Sequence, residues 1–214
     1  MYQTILFDLD GTLTDSAEGI TNSVAYALKR WEIEVTDKTE LHKFVGPPLI
    51  DSFQKYYGFS EKEAKEAVAV FQEYYREKGI FENEVYPGIS EMLQQLKSRG
   101  KKLIVATSKP EVFAVRVMEH FHLDTYFDIV AGALTDETRT KKSEVIQYAL
   151  ERAGITDVSE LIMVGDREHD VFGAKAFGMD CIGVLYGYGS REELENAGAA
   201  YIVENVADIL EICE

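Results

Sequence analysis

Asp8 and Asp10 stand two residues apart in the run Asp8-Leu9-Asp10-Gly11-Thr12-Leu13-Thr14-Asp15, directly after the apolar segment Ile5-Leu6-Phe7. Residues two apart on an extended chain share a face, so the two carboxyl groups project side by side. Gly11 permits a tight turn behind them. Neighbouring carboxylates repel unless a proton or cation lies between them, and a Mg²⁺ ion with one acid left free for proton transfer meets that need. An ordinary acidic turn at a strand end has the same composition, so the reading depends on what else gathers there.

Two further clusters qualify. Ala106-Thr107-Ser108-Lys109 follows Leu103-Ile104-Val105 and offers a hydroxyl and turn amides to a phosphate, although Ser or Thr at such a place is also a common helix N-cap. Gly165-Asp166-Arg167-Glu168-His169-Asp170 follows Leu161-Ile162-Met163-Val164 and puts two acids four residues apart where a loop enters a helix. The helix dipole alone favours acids there. Three acid or hydroxyl clusters at three strand ends make a shared site the better account.

The elements that must carry them alternate. Ile5–Phe7, Leu103–Val105, Ile129–Val130, Leu161–Val164, Ile182–Leu185 and Tyr201–Val203 are short, largely β-branched runs of the kind found in strands buried on both faces. Helical stripes lie between most of them, such as Ile89, Met92, Leu93, Leu96 and Val145, Ile146, Ala149, Leu150, Ala153. This order predicts a parallel, doubly wound α/β sheet.

The stretch from the first strand to Leu103 is too long for one crossover helix. It holds two amphipathic stripes, Ile20, Val24, Ala27, Leu28, Trp31 and Ala64, Ala67, Val68, Phe71, Tyr74, Tyr75. Residues 15–81 are therefore read as an inserted all-helical subdomain, and 1–14 with 82–214 as the core. Tyr86-Pro87-Gly88 marks the return turn. The insertion leaves from the C-terminal end of the first strand, where open α/β sheets place their sites, and suits a lid.

The 214 residues carry 22 Lys and Arg against 38 Asp and Glu, a net charge of −16 that disfavours nucleic-acid backbones and anionic membranes as partners. Cys181 and Cys213 form no CxxC or zinc-type cluster. No apolar run nears the roughly 20 residues of a membrane helix, and a cytoplasmic location is expected. An acidic protein acting on an anionic substrate needs local cations from metal or side chains.

Taken together, the three motifs resemble those of haloacid dehalogenase (HAD) superfamily phosphatases with a helical cap between the first two motifs, a likeness that covers essentially the whole chain. It implies an α/β fold with a HAD-like Rossmannoid core, a parallel sheet and an inserted all-helical cap subdomain. It implies that Asp8 is the nucleophile forming an aspartyl phosphate, and that Asp10 protonates the leaving oxygen and later activates water. Thr107 and the amide of Ser108 would bind the phosphoryl group. Mg²⁺ would be held by Asp8, the carbonyl of Asp10, Asp166 and Asp170.

The family also needs a lysine between the second and last motifs. Lys141-Lys142-Ser143 occupies the place of the Lys-Pro pair of many relatives; Lys142, just before the stripe at Val145, is favoured, with Lys141 and Lys109 as alternatives. Phe44, Gly46 and Pro47, in Phe44-Val45-Gly46-Pro47-Pro48-Leu49, are candidate specificity residues, with His42 and Lys43 nearby. His120 and His122 read as structural, and His169 as a second layer around the metal loop or a solvated side chain.

An aspartate at Asp10 points to phosphate esters rather than to the superfamily's dehalogenases or phosphonate-cleaving enzymes. Gly165–Asp170 and Gly183–Ser190 resemble a bacterial branch described as phosphoglycolate phosphatases or 5′-nucleotidases. The expected substrate is a small phosphorylated metabolite, and the expected assembly a monomer or homodimer. A phosphosugar mutase or a pyrophosphatase on the same scaffold is the nearest alternative, and a phosphoacceptor signalling module a more distant one.

Overall fold

The computed structural model describes residues 1–135 and 138–213. β1 (Thr4–Phe7) runs into a turn and β2 (Thr14–Asp15), followed by helices α1 (Ala17–Leu28), α2 (Leu49–Tyr57) and α3 (Glu61–Glu77). The chain returns through β3 (Glu84–Val85) to α4 (Ile89–Ser98), β4 (Lys102–Pro110), α5 (Glu111–His120) and β5 (Ile129–Ala133). The rest is α6 (Lys142–Ala153), β6 (Leu161–Gly165), α7 (Glu168–Lys175), β7 (Asp180–Val184), α8 (Arg191–Ala197), β8 (Tyr201–Val203) and α9 (Val206–Ile212).

The chain divides into two compact units, Met1–Thr14 with Val85–Glu214, and Asp15–Glu84. In the first, six strands form one sheet in the order β5-β4-β1-β6-β7-β8, every neighbouring pair parallel. All six apolar runs of the sequence lie in it. Each residue of β1 is buried, as a central strand requires. Burying side chains such as Ile5, Leu6 and Phe7 contributes about 1.5–3 kcal/mol each.

Register fixes where the strand ends meet. Phe7 is level with Val105 of β4 on one side and with Val164 of β6 on the other. Asp8 therefore leaves the sheet beside Ala106 and Gly165, and its amide still donates to the Val164 carbonyl at 2.9 Å. Helix α6 lies against β4 and β5 through Val145, Ile146, Ala149 and Leu150. Lys142 belongs to the same stripe one turn earlier, so the helix that fills the core also carries a lysine inward. Gly154, left-handed with φ of 65°, ends α6.

The second unit is built on α1, α2 and α3, and α3 begins with a capping box in which Ser60 and Glu63 bond each other's backbone amides. The sequence reading did not separate α2, nor the 3-10 helix over Lys38–Phe44. Phe44 packs its ring 5.1 Å from Phe53 and is 1% exposed, which makes it a core residue of this unit. Gly46, with φ of 99°, and Pro47 lie in the partly exposed loop that follows.

Candidate active site

The ends of β1, β4 and β6 place Asp8, Thr107 and Asp166 together, and the first turns of α6 and α7 add Lys142 and Asp170. Carboxylate oxygens of Asp8, Asp166 and Asp170 all lie within 4.8 Å of one another, and all three residues are buried. The Lys142 ammonium sits among them, 2.9 Å from Asp8 Oδ1 and 2.8 Å from Asp170 Oδ1, and donates to the Ala106 carbonyl at 3.1 Å. Lys141 is exposed.

Asp10 is held apart from this cluster. Both of its oxygens accept from the Lys109 ammonium at 2.8 Å. The sequence placed Asp8 and Asp10 side by side, and the fold gives each carboxylate its own lysine. The Lys109 amide also donates to Thr107 Oγ1 at 3.2 Å, and the Thr107 hydroxyl bonds the Asp8 carboxylate. Ser108 is half-buried between them.

Asp166 is seated by backbone. Its Oδ2 accepts the Tyr188 amide at 2.8 Å, and Thr12 Oγ1 lies 3.4 Å from Oδ1. Gly11 is left-handed, with φ of 85°, and a Cβ there would run into the Asp166 carboxylate. A Cβ on Gly189 would strike the Asp166 carbonyl oxygen. The Gly187-Tyr188-Gly189 segment is thus a clamp on this acid. The Tyr186 hydroxyl donates to the Thr12 carbonyl at 3.1 Å and ties the same loop to the turn after β1.

The electrostatics follow from crowding. Burial and the charge of Asp170 raise the Asp8 carboxyl above its usual range, against the Lys142 and Thr107 bonds. Burial, with the charges of Asp170 and Asp8, also raises the Asp166 carboxyl above its usual range, opposed by the Tyr188 amide. Burial works against the Lys142 ammonium, but the charges of Asp170 and Asp8 prevail and raise its pKa. Three buried acids share this centre with Lys142, and Asp170 Oδ1, 2.8 Å from that ammonium, has no partner in hydrogen-bonding geometry among the described residues. A further cation would let all three ionise together, and an all-oxygen donor set suits Mg²⁺.

His169 is exposed at the surface one residue before Asp170, and the partial desolvation of its ring by its neighbours lowers its pKa. His120 ends α5 with its ring 4.8 Å from Phe121, and His122 is left-handed, with φ of 57°, in the turn that follows. Phe44, Gly46 and Pro47 belong to the Asp15–Glu84 unit. Tyr188 and Gly189 act on Asp166 through a backbone amide and close approach, which sequence does not display, and the Thr12 hydroxyl meets Asp166 across 154 residues of chain. The repeated glycines at 187 and 189 were the available signal.

A family model described as haloacid dehalogenase-like hydrolase matches residues 5–184. A Pseudomonas aeruginosa protein named 5′-nucleotidase is 45% identical over 213 residues, covering 100% of this chain and 96% of its own. Tyrosine-protein kinase PtkA of Mycobacterium tuberculosis is 38% identical over 213 residues, covering 99% of this chain and 72% of its own. The crystal structure of a predicted phosphatase from Clostridium acetobutylicum is 50% identical, with a TM-score of 0.96 over 99% of this chain and 98% of that one. Strand order, clustered acids and a match through most of the sequence agree, and the chain belongs to the haloacid dehalogenase-like hydrolases.

Proposed function

We propose that this hydrolase is a Mg²⁺-dependent cytoplasmic phosphatase of small phosphomonoesters, with nucleoside 5′-monophosphates as its foremost substrate class and phosphoglycolate as the alternative. The observation that carries the reading is the Asp8 carboxylate at the end of the central strand, 2.9 Å from the Lys142 ammonium and bonded by Thr107, with Asp10 fixed two residues on. The 5′-nucleotidase relative, alike over nearly its whole length, supports the substrate class.

In this reading Asp8 attacks phosphorus as its ester bond to the leaving oxygen breaks, and the Asp10 carboxyl group gives its proton to that oxygen. Water then attacks the aspartyl phosphate, passes a proton to Asp10, and orthophosphate departs as the bond to Asp8 breaks. Thr107, the Ser108 amide and Lys142 hold the phosphoryl oxygens while negative charge redistributes. Asp8, Asp166, Asp170 and the Asp10 carbonyl would hold Mg²⁺, whose chemistry when bound is charge neutralisation at those oxygens.

A panel assay with Mg²⁺ tests this, using nucleoside 5′-monophosphates, phosphoglycolate, hexose phosphates, pyrophosphate, and ATP with a tyrosine peptide. Orthophosphate release from the nucleotides is expected, with Asp8→Asn slower by about 10³-fold or more. Substantial turnover by Asp8→Asn overturns the nucleophile. Isomerisation of a hexose phosphate without orthophosphate release, or phosphate transfer to the peptide, overturns the hydrolytic reading.

A further inference from the structure

The second acid of the pair has a partner that the proposed chemistry leaves unused. Lys109 and Asp10 are 99 residues apart in the chain, yet the ammonium bonds both carboxylate oxygens at 2.8 Å, with side chains only 4% and 11% exposed. Burying such a pair strips both ions of most of their hydration, so stability alone is a weak reason to build it. Its geometric effect is specific: two bonds from one ammonium fix the plane of a carboxyl group that sits on a turn.

Lys109 reaches Asp10 because β4 runs beside β1 in register, Phe7 level with Val105. The same residue's amide bonds Thr107 Oγ1, whose hydroxyl bonds Asp8. One residue thus ties the phosphate-facing hydroxyl to the proton-transferring acid, while Lys142 serves the nucleophile.

We propose that Lys109 is the positioning residue for Asp10, aligning its carboxyl group both for proton donation to the leaving oxygen and for proton acceptance from the attacking water. This rests on the reading of Asp8 as nucleophile. Lys109 acts through Asp10 and is distinct from a phosphate anchor, which would bind all phosphoryl groups equally.

Leaving-group dependence tests the proposal in the full-length protein with Mg²⁺. A nucleoside 5′-monophosphate expels a poor leaving group that needs a proton, whereas 4-nitrophenyl phosphate expels a phenolate that does not. In Lys109→Ala, kcat/KM on the nucleotide should fall by about 10²-fold or more, and on the aryl ester by less than about threefold. Turnover of the aryl ester should still slow, because unassisted water attack now limits it, and a burst of nitrophenolate equal to the enzyme present should appear. Lys109→Arg should recover part of the nucleotide rate, and Lys109→Gln provides a variant of similar length should the alanine fail to fold.

Equal losses on both esters, a loss confined to KM, or no loss at all overturns the role. Wild-type enzyme inert on both esters would instead overturn the phosphatase reading on which the role stands.

Discussion

The Lys142 ammonium lies 2.9 Å from Asp8 Oδ1, at the start of a helix whose next turns fill the sheet's core. Its position is set by packing: Lys142 shares the inward stripe of Val145, Ile146 and Ala149, and only its nitrogen reaches the acids. Replacing it with methionine keeps the volume and removes the charge. Lys142→Met should lose about 3–5 kcal/mol of stability in metal-free protein, because Asp8 and Asp170 stay buried without their cation. Activity should fall by about 10²–10³-fold. Lys141→Ala should stay within about 0.5 kcal/mol of wild type. Thermal melts and steady-state rates check both, and equal effects at the two positions would contradict the assignment.

Mg²⁺ should stabilise the protein through the same centre. Asp8, Asp166 and Asp170 crowd within 4.8 Å, and an added cation relieves their repulsion. At 100 times its Kd the ion should add about 2.7 kcal/mol, reversed by a chelator. Asp166→Asn and Asp170→Asn should each shrink that increment, as read from melts at graded Mg²⁺. A wild-type midpoint indifferent to Mg²⁺ would remove the site.

Gly189→Ala probes the clamp on Asp166. The added methyl would strike the Asp166 carbonyl oxygen, so the loop must shift and the Tyr188 amide with it. A cost of about 1–3 kcal/mol and weakened Mg²⁺ binding are expected. Calorimetric titration of Mg²⁺ into the variant measures the second effect; unchanged affinity would mean that the loop does not hold the acid.

Asp128 provides a pH test away from the site. Burial opposes its ionisation, but the Leu103 amide at 3.0 Å and the Lys97 ammonium at 3.1 Å outweigh it and lower its carboxyl pKa. With the folded value below the unfolded value of about 3.9, the stabilisation is present above that pH and lost as pH falls through the folded value. The side chain is 39% exposed, so screening keeps the effect within about 1 kcal/mol. Asp128→Asn should lie below wild type near neutrality, with the gap closing in acid. A pH-independent gap in urea melts would refute the linkage.

The sheet was legible because buried parallel strands must be continuously apolar, and all six such runs became its strands. Asp8, Thr107, Asp166 and Asp170 stood out because each comes just after an apolar run or opens a helix, although β4 extends through Thr107 to Pro110. The Lys109–Asp10 pair was hidden, since strand register and not sequence distance joins them. Helix α2 was obscured by Gly46-Pro47-Pro48, which drew attention to the loop and away from the pattern after it. Phe44 looked like a ligand-facing aromatic because an isolated sequence cannot show the Phe53 ring against which it packs.

The parallel ladder that sets β1 between β4 and β6 has a wider meaning. Since Asp8, Thr107 and Asp166 stand on or just beyond adjoining strands, their spacing is inherited from the hydrogen-bond lattice itself. Alignment here is a property of the whole framework, and side chains can be exchanged around it while the distance between the two flanking motifs stays the same.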